Sequence, residues 1–148
     1  MNKNLRYLWL VLAAILSIFV GGKWNVPLAA WIAPVFLIRF FRDSDKAGRN
    51  FLLMWLAVAV GGFISWSGAT ALSLTSPIAE PILSLVTALI SLLPYVVDRI
   101  YYRRFTSSFW LTLVFPIAFT AIDFFSTSGS PFGSFGAAGY SQSGFFPA

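Results

Sequence analysis

The chain contains no cysteine and no histidine, and among its 148 residues only ten are basic and five acidic. Without cysteine there is no disulfide, no thiolate metal site and no sulfur nucleophile. Without histidine the usual zinc ligand and the commonest general base are missing as well, so no catalytic, cofactor-binding or metal-ligating residue is assigned. The charged share, 10%, lies far below the roughly one quarter typical of soluble domains. A chain so poor in charge cannot clothe itself in a water-facing surface. What takes the place of charge is apolar: 58% of the residues are hydrophobic, 18% are aromatic, and the mean hydropathy is +0.80.

These apolar residues form long charge-free runs rather than short periodic stripes, which marks lipid as the solvent. No charge falls between Arg6 and Lys23, Lys23 and Arg39, Arg49 and Glu80, Glu80 and Asp98, or Arg104 and Asp123. A spanning helix needs about 17 to 25 mainly apolar residues. The runs predict an all-α polytopic transmembrane helix bundle of about five spans, at 5–22, 24–41, 51–75, 80–97 and 107–125, within a unit covering 1–126. The first two reach spanning length only if Arg6 and Arg39 snorkel to the interface, and otherwise form a shallow hairpin. Lys3 and Arg6 ahead of the apolar stretch Tyr7 to Val20 have the layout of a signal peptide. No small-x-small cleavage site follows, so the stretch reads as an uncleaved anchor.

Basic residues orient the bundle. Lys3 and Arg6, then Arg39, Arg42, Lys46 and Arg49, then Arg99, Arg103 and Arg104 all fall on one side of a five-span arrangement, leaving Lys23 alone on the other. The positive-inside rule places the first group and the N-terminus in the cytoplasm and the C-terminus outside. The same residues explain the net charge of +5 without a nucleic-acid partner, and membrane lipids, anionic headgroups among them, are the expected partners.

Asp43 and Asp45 stand among Arg42, Lys46 and Arg49, and Asp98 stands beside Arg99; both groups read as mutual screening at the surface. Glu80, between Pro77 and Pro81, reads as a solvated turn acid. Asp123 is different, because an ionisable side chain inside Phe119 to Phe125 is either interfacial or turned toward a partner or a wet cavity. Ala57, Gly61, Ser65, Ala69 and Ser73 recur every fourth residue, a pattern that lets another helix approach closely. Pro34, Pro94 and Pro116 interrupt spans two, four and five, and Trp24, Trp66 and Trp110 suit interfacial belts.

From Ser126 onward the chain has no charge, and glycine, serine and phenylalanine alternate. Phe132, Phe135, Phe145 and Phe146 are poorly suited to a solvated linker, so the segment 127–148 is expected to lie in the outer interface or over the bundle, with Asp123 fixing its start.

A proline in a late apolar span, then Asp123, then a Gly/Pro/Phe-rich stretch through Gly139-Tyr140-Ser141-Gln142 resembles the membrane part of the apolipoprotein N-acyltransferases, most clearly from Phe115 to Pro147. The resemblance implies a bacterial inner-membrane bundle that holds a nitrilase-like domain on its outer side. In that family this domain transfers an acyl chain from phospholipid to a lipoprotein through a Glu-Lys-Cys triad. It makes Asp123, Tyr140 and Gln142 the outer-face candidates. The chain departs from the family in having Asp123 followed by Phe124-Phe125-Ser126 where relatives place a glutamate and then an arginine. It carries no counterpart of the catalytic domain and no cysteine, so no catalytic residue transfers. The expectation is either the membrane-embedded N-terminal portion of an acyltransferase-like protein, inactive alone, or a non-enzymatic membrane protein such as a transporter subunit or assembly scaffold.

Overall fold

A computed structural model describes residues 3–42, 46–68, 78–105 and 109–129. They form an all-α bundle of six helices: α1 (Lys3–Ser17), α2 (Pro27–Arg42), α3 (Ala47–Trp66), α4 (Ala79–Ser91), α5 (Leu93–Arg104) and α6 (Trp110–Ser128). Their apolar character makes this a membrane protein. Among the described residues three rods are long and apolar enough to cross a bilayer: α3, α6 and the 26-residue stretch Ala79–Arg104 that α4 and α5 make together. At 1.5 Å per residue α1 and α2 are about 22 and 24 Å long, short of the hydrocarbon thickness of about 30 Å.

Local sequence explains where the helices begin and break. Pro27 opens α2, a position whose N–H would have no helical partner in any case. Pro94, in the first turn of α5, cannot donate to the preceding turn, and the rod bends out of register at Leu92 between α4 and α5. The run expected to continue to residue 75 leaves the helix at Ser67, and Gly68 follows at φ +70°, a left-handed conformation that glycine adopts without a Cβ penalty. Pro34 and Pro116 lie inside α2 and α6 without ending them.

Helices α1 and α2 form an antiparallel hairpin. Tyr7 meets Phe40 at 6.3 Å between ring centres, Trp9 stacks on Phe36 at 5.3 Å, and at the turn the Val26 N–H donates to the Phe19 carbonyl. The core combines Ala13 of α1, Leu37, Phe40 and Phe41 of α2, Met54 of α3, and Leu92 and Tyr95 around the α4–α5 break. Lipid is as apolar as these side chains, so close van der Waals fit and interhelical hydrogen bonds hold the bundle together. One such bond joins α3 to α4, from Trp55 Nε1 to the Leu85 carbonyl at 2.8 Å. Helix α6 returns along α5 with Phe115 against Tyr95 at 4.8 Å, and it buries none of its own residues.

Candidate functional site

The bundle collects its charge at one end. Here α1 begins, α2 ends, α3 begins and α5 ends, which brings Arg6, Arg39, Arg42, Arg49 and Arg99 into one layer. Arg42 in the last turn of α2 and Arg103 and Arg104 in the last turn of α5 also face the negative ends of their helix dipoles.

Within this layer α2 and α5 are clamped reciprocally. Arg42 makes a two-pronged ion pair with Asp98, Nε to Oδ2 at 2.8 Å and Nη2 to Oδ1 at 2.6 Å. Tyr102 lies one turn beyond Asp98 on the same face of α5, and its ring receives the Arg42 guanidinium at 4.5 Å. Arg99 points the other way and donates from Nη1 to the Phe41 carbonyl at 2.5 Å, while its guanidinium lies 4.5 Å from the centre of the Phe41 ring. That carbonyl belongs to the last turn of α2, where no further helical N–H is available to it. Asp98 is only 2% exposed and Arg99 only 5%.

This arrangement corrects the expectation that Asp98 and Arg99 screen each other at the surface. Adjacent helical residues point about 100° apart and cannot face one another. Each instead reaches α2, and Asp98 pairs with a residue 56 positions away. A carboxylate so enclosed is tolerable because both oxygens receive charged donors; with a partner removed, the remaining charge would be left buried, at a cost of about 3–5 kcal/mol.

Other polar atoms in this half of the bundle are buried without a hydrogen-bond partner among the described residues: Arg6 Nε, Trp9 Nε1 and both side-chain polar atoms of Asn50, which is fully enclosed. Arg49 donates from Nη2 to the Tyr7 hydroxyl at 2.6 Å and so ties the start of α3 to the start of α1.

At the opposite end the contacts run to backbone groups. Ser65 Oγ donates to the Gly21 carbonyl, and the Lys23 N–H donates to the Ser65 carbonyl at 3.0 Å. Gly22 has φ +66°, and a Cβ there would collide with the Ser65 carbonyl. Deeper along the same helix pair, a Cβ on Gly61 would come within 2.9 Å of Ser17 Cβ. Ala57, a turn earlier, lines an apolar cleft between α1 and α3, and Ala69 and Ser73 lie outside the described residues. Glu80, in the first turn of α4, is half-buried, and its Oε1 accepts the Gly68 N–H at 3.3 Å.

Asp123 lies on α6 and is half-buried; it forms no ion pair or hydrogen bond with a described residue. Tyr140 and Gln142, with the rest of the segment beyond Gly129, lie outside the described residues. In the sequence Asp98 is paired with Arg99, and Arg42 is one loop cation among several. The signal that could have flagged them is an acid flanked by the apolar stretch ending in Val96-Val97 and by Tyr101-Tyr102, where a lone surface pair would be poorly hydrated.

Fold and site together define a polytopic membrane bundle closed at its basic end by a buried ion pair. No family model, curated protein or solved structure matches the chain.

Proposed function

We infer that this bundle is the membrane-embedded, non-catalytic portion of an acyltransferase-like protein of the lipoprotein-modifying kind, lying in a bacterial inner membrane with its basic end in the cytoplasm. The observation that carries the reading is α6. It contains Pro116 and Asp123 and leads directly into the Gly/Pro/Phe-rich stretch on which the resemblance rests, and its unburied surface is open to lipid or to further helices. The gathering of arginines at one end supports the orientation through the positive-inside rule. Within these 148 residues there is no cysteine to form a thioester, so the role of the bundle is to anchor and position.

Two measurements test this. Reporter fusions at Lys46, Pro77, Arg103 and Ala148 are expected to read inside, outside, inside, outside, and any two reversed would overturn the orientation. The coding frame downstream of Ala148 is expected to continue into an α/β domain bearing Glu, Lys and Cys, and the 148-residue chain alone is expected to transfer no acyl group from phospholipid. Turnover by the isolated chain would refute the non-catalytic role. A stop codon directly after Ala148 would favour the second reading, a self-contained scaffold. That reading draws support from the α2–α5 clamp, whose ion pair and arginine–carbonyl bond both join helices.

A further inference from the structure

The arginines of the basic end are used unequally. Arg42 is taken up by Asp98, whereas neither Arg6 nor Arg49 forms an ion pair among the described residues. Both converge on Tyr7: Arg49 through its 2.6 Å hydrogen bond to the phenol oxygen, and Arg6 by lying 5.3 Å from the centre of the ring. The described acids are elsewhere, with Asp98 in the α2–α5 clamp, Glu80 at the other end of the bundle and Asp123 on α6.

Tyr7 and Arg49 also stand about two helical turns above an apolar cleft between the same two helices. Seven residues on from Tyr7 along α1, on the same helical face, comes Ala14, with Ile18 just past the end of the helix; seven and eleven residues on from Arg49 along α3 come Leu56 and Val60. Between Ile15 and Ile18 on one side and Leu56 and Val60 on the other lies a cleft of about 330 Å³, floored by the small Ala57 and Gly61. From Tyr7 the cleft begins about 10 Å along the helix and ends at about 16 Å. That depth fits within one leaflet, half of a hydrocarbon layer about 30 Å thick.

We propose that this α1–α3 groove binds one anionic phospholipid, with its phosphate between the Arg49 and Arg6 guanidiniums and the Tyr7 hydroxyl and one acyl chain in the cleft. Charge and shape select this occupant jointly. A free phosphate satisfies the guanidiniums and leaves the apolar cleft without a partner. A neutral chain does the reverse. A zwitterionic lipid brings its own cation to a place that already holds two, so a headgroup with net negative charge is preferred. The site lies at the basic end and uses no residue of the Gly/Ser/Phe segment. It requires only that the bundle spans a membrane, so it stands or falls independently of the acyltransferase reading.

The test uses the full chain in an uncharged detergent, titrated with dioleoyl phosphatidylglycerol or dioleoyl phosphatidylcholine, with bound lipids counted by native mass spectrometry. One saturable phosphatidylglycerol is expected, held about tenfold or more tightly than phosphatidylcholine. Arg49→Gln should weaken it about fivefold, the effect of losing about one near-surface cation, and Arg49→Lys should weaken it less. Ala57→Leu, which fills the cleft, should weaken binding while leaving its dependence on salt unchanged. Arg104→Gln, outside the groove, should leave binding as it was. Equal affinity for the two lipids, or an Arg104→Gln loss equal to that of Arg49→Gln, would overturn the site in favour of diffuse attraction. Displacement by glycerophosphoglycerol or inorganic phosphate at the lipid's own concentration would overturn the role of the cleft. Circular dichroism confirms that each variant is folded, and the lysine and cleft variants carry the test if Arg49→Gln is not.

Discussion

At the basic end α2 and α5 are joined through long charged side chains, Arg42 to Asp98 and Arg99 to the Phe41 carbonyl, whereas at the other end the α1–α2 turn meets α3 almost backbone to backbone through Gly21, Gly22 and Ser65. The first kind of contact selects its partner by charge and tolerates helix separation, because an arginine can extend. The second selects nothing by charge but fixes the distance of approach, because a single added methyl group collides. A hairpin of short helices such as α1–α2 benefits from both. One end is tethered to α5 and the other is seated against α3.

The comparison breaks most visibly at Asp98. Arg42→Met leaves the enclosed Asp98 carboxylate without its counter-charge and is expected to lower stability by about 3–5 kcal/mol in detergent unfolding titrations. The double change Arg42→Met with Asp98→Leu should recover most of that loss, since two apolar partners leave no buried charge. If the double variant is as unstable as Arg42→Met alone, the loss is not due to uncompensated charge. Next in size is Gly22→Ala, which forces a side chain into a left-handed backbone against the Ser65 carbonyl and should cost about 1–3 kcal/mol or more. Its control is Gly62→Ala, where an added Cβ meets nothing within 4 Å; here helix propensity predicts a gain of about 0.5–1 kcal/mol. Equal effects at the two glycines would show that the seat of α1 on α3 is not steric. Trp55→Phe, which removes the bond to the Leu85 carbonyl, should cost about 0.6 kcal/mol, the mean for interhelical hydrogen bonds in membranes. Asn50→Leu sharpens the picture with the opposite sign: its unpartnered amide is replaced by an apolar group of similar size, so stability should stay level or rise. A loss there would mean that the Asn50 amide makes a contact the helices alone do not provide.

The helical class was legible because hydropathy is a sum over many residues and survives local errors. Long charge-free runs around Phe51–Trp66, Ile82–Leu93 and Leu111–Ile122 state the solvent directly. The ion pair was not legible, because pairing depends on which helix ends share a layer. In the sequence Asp98 has Arg99 as its neighbour, and the partner it uses lies 56 residues upstream. The breadth of the third run was also misleading: hydropathy continues past Trp66, while the chain turns at Ser67 and Gly68 for reasons of backbone conformation that an apolar average does not register. Burial of the Asn50 amide escaped for a similar reason, since one polar residue at the head of an apolar helix reads as a cap or an interface residue.

The separation of Arg42 from Asp98 has a consequence for biosynthesis. At a translation rate of about 5–20 residues per second, the 56 residues between them take about 3–11 s to make. During that interval α3 and then α4 are added to the hairpin while Arg42 still lacks Asp98, so the carboxyl end of α2 is held at the headgroups without its interhelical ion pair. Arrival of α5 converts this provisional placement into a fixed one. The bundle is thus completed in two stages, and the fourth hydrophobic segment to be synthesised determines when the second can no longer change its depth.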